Sequence, residues 1–160
     1  MKTLLLLRHA KASRDDPSLA DHDRPLKNRG KEDAKRIGRR LRDAKLAPTL
    51  IVSSTARRAR KTASKVAKQF DYSREIELTD RLYLSGPEDH LEFARSLPDS
   101  EDRVMLVGHN PGLSQFLNAL TDAEMELATS EVAQVELEIK HWSDLARRRC
   151  GQLVRVWQTN

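Results

Sequence analysis

Lys2-Thr3-Leu4-Leu5-Leu6-Leu7-Arg8-His9 is the stretch on which the fold turns. Four leucines in a row, bounded by polar residues and too few for a helix, read as a strand buried on both faces. Strands of that kind belong to parallel sheets with helices packed on either side. The run is too short for a signal-peptide core and is followed at once by Arg8 and His9.

The neighbouring segments repeat the theme. Residues 10–28 are polar, with Pro17 and Pro25, and read as a long loop. From Arg29 to Leu46, Ala34, Ile37, Leu41 and Ala44 form one apolar stripe on a basic helix. Thr49–Ser53 reads as a second buried strand, and Ala56, Ala59, Ala63, Val66 and Ala67 as the face of a second basic helix. Glu75–Thr79 alternates and is expected as a peripheral strand. Gly86-Pro87 opens a helix lined by Leu91, Ala94 and Leu97, since Pro suits a first helical position. Asp102–Val107 is a fourth strand. Asn110 and Pro111 are expected as cap and first residue of a helix to about Leu120. Val132–Ile139 and Leu153–Trp157 are the last two strands, with a short turn expected around Ser143–Arg147. This β-α-β-α-β-α-β-α-β-β order predicts an α/β fold of three layers, α/β/α, with a mostly parallel sheet and an antiparallel strand near the C-terminus.

The 160 residues are expected to make a single domain, 1–160. Cys150 is the one cysteine, which removes disulfide scaffolds and Cys-rich zinc sites and points to a reducing, cytoplasmic setting. No apolar run approaches the ~18 residues that span a membrane, so no membrane partner is expected. Charge is lopsided: residues 1–70 hold 20 Lys and Arg against 7 Asp and Glu, whereas residues 71–160 hold 9 against 17. That asymmetry suggests an anionic partner or substrate. Nucleic acid is the rival partner, but residues 1–69 contain no Phe, Tyr or Trp to stack on bases, and none is expected.

Ligands of open α/β sheets bind beyond the carboxyl ends of the strands. Arg8 and His9 follow the first strand there. Ser53, Ser54, Arg57 and Arg58 follow the second, Asp80 and Arg81 the third, and Gly108, His109 and Asn110 the fourth. Two histidines, several arginine forks and a helix N-terminus at one edge are suited to a phosphoryl group. His22, His90 and His141 lack such a context and read as surface or structural. No metal is expected: no HxH or HxxxH spacing exists, and the arginines would repel a divalent ion.

These segments resemble those of a known family. Leu5-Leu6-Leu7-Arg8-His9-Ala10 is similar to the Arg-His-Gly signature of the histidine phosphatase superfamily, which includes the phosphoglycerate mutases. Asp21-His22-Asp23-Arg24-Pro25-Leu26, Ser53-Ser54-Thr55-Ala56-Arg57-Arg58-Ala59 and Val107-Gly108-His109-Asn110-Pro111-Gly112 resemble its SixA-type phosphohistidine phosphatase branch. Ala10 stands where the wider superfamily has Gly, and Thr55 where Pro is usual. The resemblance implies a phosphoglycerate mutase-like fold and a cofactor-free, metal-independent phosphatase. It implies that neutral His9 attacks phosphorus to form a phosphohistidine, with Arg8, Arg58 and His109 holding the phosphoryl oxygens. Arg58 is preferred to Arg57 because the family pattern carries an Arg-Ala pair. Asn110 joins the expected phosphate-binding set, and Asp80 is the candidate acid. The implied substrate is a phosphohistidine-bearing protein. A small phosphate ester, taken by a phosphomonoesterase or mutase of the same superfamily, is the alternative. A basic nucleic-acid-binding domain without catalysis is the alternative from another class.

Overall fold

The computed structural model describes residues 1–146 and 149–160. Six strands form one sheet: β1 (Lys2–Arg8), β2 (Leu50–Ser54), β3 (Glu77–Thr79), β4 (Arg103–Gly108), β5 (Val132–Leu137) and β6 (Gly151–Trp157). Their order is β3-β2-β4-β1-β5-β6. The first four are mutually parallel; β5 runs antiparallel to β1, and β6 antiparallel to β5. Four helices complete the fold: α1 (Asn28–Asp43), α2 (Arg57–Gln69), α3 (Pro87–Arg95) and α4 (Gly112–Leu120).

The leucine run explains itself in this arrangement. Side chains alternate across a strand, so Leu5 and Leu7 join Ile51, Met105 and Val107 under α1 and α2. Leu4 and Leu6 join Val52, Val104 and Leu106 under α3 and α4. All four leucines are fully buried. The chain first moves outward from β1 to β2 and β3, then returns to β4 between them. Right-handed crossovers in opposite directions put their helices on opposite faces of a sheet, which accounts for the three layers.

Several boundaries differ from expectation. Helix α1 stops at Asp43 rather than Leu46, because Lys45 takes a left-handed conformation (φ 60). Lys45 N–H then bonds Arg42 O and Leu46 N–H bonds Leu41 O, a closing pattern that satisfies the last carbonyls. Strand β3 is reduced to three residues at the sheet edge. The loop 10–28 is tied down by an Ala12–Leu26 bridge and carries a 3-10 turn at Asp21–Asp23. The turn expected around Ser143–Arg147 begins as a 3-10 segment at Trp142–Asp144, and Arg147 lies outside the described residues.

Strand register sets the neighbours at the sheet's carboxyl edge. Arg8 lies opposite Gly108, and Ser53 opposite Val107. The carboxyl ends of β1, β4 and β2 are therefore adjacent, and the segments leaving these three strands emerge side by side.

Candidate active site

His9 leaves β1 and His109 leaves β4 at the same level, with ring centroids 5.0 Å apart. That is close to the spacing of neighbouring strands. The backbone N–H of His9 extends the ladder to Gly108 O at 3.2 Å. His9 is buried, and its Nδ1 lies 2.8 Å from Ala10 O. A carbonyl can only accept, so Nδ1 carries the hydrogen and Nε2 keeps a free lone pair. Arg58 Nε–H approaches that lone pair at 3.4 Å. Burial, offset by the Ala10 bond and reinforced by the charges of Arg58, Arg8 and Arg24, lowers the His9 pKa to about 4. The ring is neutral at pH 7.

Arg58 stands in the first turn of α2 and is 3% exposed, while Arg57 is exposed. Its Nη1 donates to Asp21 O at 2.7 Å and its Nη2 to the Asp21 carboxylate at 3.0 Å. Thr62, one turn further along α2, accepts from Ala10 N–H at 3.0 Å and donates to Arg58 O at 2.8 Å. That hydroxyl couples the nucleophile loop to the helix carrying the arginine.

His109 is also buried, and its Nε2 lies 2.8 Å from Ser54 Oγ. Ser54 Oγ already accepts from Ala56 N–H at 3.2 Å. In the tautomer in which the Ser54 hydroxyl donates to Nε2, the proton of His109 is on Nδ1. Burial, then the neighbouring His9 and Arg58, lower the His109 pKa to about 3. His109 Nδ1 is buried without a hydrogen-bond partner among the described residues, as is Nε of Arg8. Buried donors of that kind are uncommon unless something binds them. Arg8 is held by Leu127 O, 2.9 Å from its Nη1.

The remaining expected residues have other contacts. The Asn110 amide donates to Leu127 O at 2.8 Å and accepts from Ser114 N–H and Oγ, tying α4 to the segment that holds the Arg8 side chain. The cap position itself is taken by Pro111, one residue later than expected, and α4 begins at Gly112. The Asp80 carboxylate is exposed and accepts the Thr55 hydroxyl, which in turn lies 2.9 Å from His22 Nε2. His22 is thus at the rim of the site, edge-on to Tyr83 at 4.8 Å, rather than an isolated surface residue. His90 is fully buried, bonded to Gly86 O and stacked on Phe116.

Sequence reasoning gave no role to Asp21 and Tyr83. Tyr83 O–H donates to Asp21 at 2.6 Å, and its ring meets that of His109 edge-on at 5.5 Å. The Tyr83 hydrogen bond, with Arg58 and Arg24, holds the Asp21 carboxyl below its ordinary range despite some burial. Two signals were present: Asp21 opens the Asp-His-Asp-Arg-Pro-Leu segment, and Tyr83 is one of two tyrosines in the chain. Among the described residues, no three His, Cys, Asp or Glu side chains gather in a way that could hold a metal ion.

A buried, neutral imidazole with an available lone pair, an arginine against it and a second imidazole beside it is equipped to accept a phosphoryl group. Residues 4–83 match the profile of the histidine phosphatase superfamily (branch 1). The chain is 33% identical over 152 residues to an uncharacterised chloroplastic protein of Arabidopsis thaliana, covering 89% of this chain and 70% of that one. A crystal structure of a candidate phosphohistidine phosphatase SixA from Agrobacterium tumefaciens superposes with a TM-score of 0.83 at 28% identity, over 98% of this chain and 97% of that one. The protein histidine phosphatase SixA complexed with tungstate shares the fold, with a TM-score of 0.83 at 19% identity over 98% and 97% of the two chains. The chain belongs to the histidine phosphatase superfamily, on the SixA-type branch.

Proposed function

We propose that this phosphatase acts on phosphohistidine in a protein, through a covalent phosphoryl group on Nε2 of His9. The observation that carries the reading is the Nδ1–H bond of His9 to Ala10 O, which leaves Nε2 unprotonated beside Arg58. In the first step the Nε2 lone pair forms a bond to phosphorus and the bond to the substrate's imidazole nitrogen breaks. That imidazole departs with the bond's electron pair and is neutral if it was protonated beforehand. In the second step water attacks phosphorus, the bond to His9 breaks, and inorganic phosphate leaves. Arg58, Arg8 and His109 Nδ1–H are the donors for phosphoryl oxygens as charge spreads over them. Asn110 serves the same set by holding Leu127, whose carbonyl also accepts from the Arg8 guanidinium.

A protonated imidazole leaves readily, so a phosphohistidine substrate asks little of a general acid. Asp80 is the candidate acid for a poorer leaving group, reached through Thr55 and His22. The domain is taken as residues 1–160, and the setting as cytoplasmic. No described helix is long and apolar enough to cross a membrane. The second substrate class is a small phosphate ester. Turnover of a histidine-phosphorylated protein should exceed that of p-nitrophenyl phosphate by at least about tenfold in kcat/KM. The reverse order would assign the enzyme to small esters.

A further inference from the structure

Beside the site, a groove of about 530 Å³ runs between α1, α2 and the edge strand β3. Its walls carry Lys31, Arg57, Arg60 and Lys61, and its floor includes Ile76 and Leu78. Leu78 is 50% exposed and offers an apolar contact among these charges. No carboxylate lines the groove, and none of the four cations forms an ion pair among the described residues. Positive charge is crowded there: partial desolvation, then Lys35, Lys61, Lys68 and Lys31, hold the neighbouring Lys65 ammonium below its ordinary pKa. The groove and the candidate site share the start of α2. Arg57 and Arg58 are consecutive in the first turn of α2, the first lining the groove and the second facing His9. Lys61 follows Arg57 by one helical turn, about 5–6 Å away.

We infer that this groove docks an acidic segment of the phosphorylated protein, within a few residues of the phosphohistidine delivered to His9. This rests on the proposed function and deepens it by naming the chemistry around the phosphorylated residue. Charge complementarity selects the occupant: four unpaired cations around a small apolar floor fit carboxylates flanking an aliphatic side chain. No aromatic ring lines the groove to stack on a base, which favours an acidic polypeptide over single-stranded nucleic acid. An extended chain advances about 3.3 Å per residue, so about two residues cover the distance between Arg57 and Lys61.

The test uses three synthetic peptides with one phosphohistidine each, flanked on both sides by glutamates, alanines or lysines. Inorganic phosphoramidate serves as the armless phosphoryl donor. In low salt the glutamate-flanked peptide should exceed the alanine-flanked one about tenfold in kcat/KM, as expected for a few screened charge pairs acting together. Salt at 0.5 M should erase the difference. The double variant Lys31→Glu, Lys61→Glu should lose the glutamate preference and gain on the lysine-flanked peptide, with phosphoramidate turnover within twofold of wild type. Equal turnover of the three peptides, or a glutamate preference that survives the double variant, would overturn the docking proposal alone. Binding of duplex DNA in the groove without a glutamate preference would also overturn it and assign the face to nucleic acid. Hydrolysis of phosphate esters but of no phosphohistidine peptide would overturn the proposed function, and the docking proposal with it.

Discussion

The state of the His9 ring can be measured directly. Burial and three nearby arginines place its pKa at about 4, against 6.5 for a free imidazole. At pH 5 a ring of pKa 4 is about one-tenth protonated, whereas an ordinary ring is almost wholly protonated. The ring resonances of His9, assigned by their loss in His9→Gln, should hold constant from pH 7 to 5.5 and titrate only near 4. Arg58→Met should raise the midpoint, because it removes a positive charge at the Nε2 lone pair. The midpoint should nevertheless stay below 6.5, since burial is the larger cause of the depression. The same shift links to stability. Above pH 6.5 the ring is neutral in both folded and unfolded chains; between 6.5 and about 4 only the unfolded chain takes the proton. Stability therefore declines as pH falls through that window, by about 3 kcal/mol from this residue. A midpoint at 6 or above in the folded wild type would refute the account of a buried, arginine-flanked nucleophile.

Two further outcomes separate neighbouring claims. Arg58→Ala should lower phosphoramidate turnover about 10²–10³-fold, the usual cost of one transition-state donor, whereas Arg57→Ala should change it less than about threefold. Equal losses would mean that both side chains reach the phosphoryl group. Turnover should also persist in a strong chelator, because the positive charge at phosphorus comes from arginines; a metal-reversible loss would require a different mechanism.

The sheet was legible because its signals are local. The Leu4–Leu7 run, the Ala59–Ala63–Val66 stripe and Pro87 act over one strand or one helical turn. Strand order was not legible: β4 inserts between β1 and β2 through contacts about a hundred residues apart in sequence, such as Leu4 with Val104. At the site, position after a strand brought Arg8, His9, Ser53, Ser54, the Arg57-Arg58 pair and His109 to one edge, and the resemblance alone chose Arg58 over Arg57. Position could not reveal orientation. Asn110 and Asp80 also follow strands, yet their side chains bond Leu127, Ser114 and Thr55. Asp21 and Tyr83 were missed for the opposite reason: Tyr83 reaches Asp21, and Asp21 reaches Arg58, across segments that only the folded chain brings together. The Lys45 stop of α1 is equally invisible, because lysine carries no preference for a left-handed backbone.

Trapping the phosphoenzyme tests the central claim most directly. Wild-type protein quenched during turnover of a labelled phosphoryl donor should carry the label in an acid-labile, base-stable bond, mapped by peptide mass spectrometry to His9. His9→Ala, verified as folded, should carry none and should lose turnover by several orders of magnitude, because the covalent step disappears. A fully active His9→Ala protein, or label on Ser13, Ser53 or Ser54, would contradict the account.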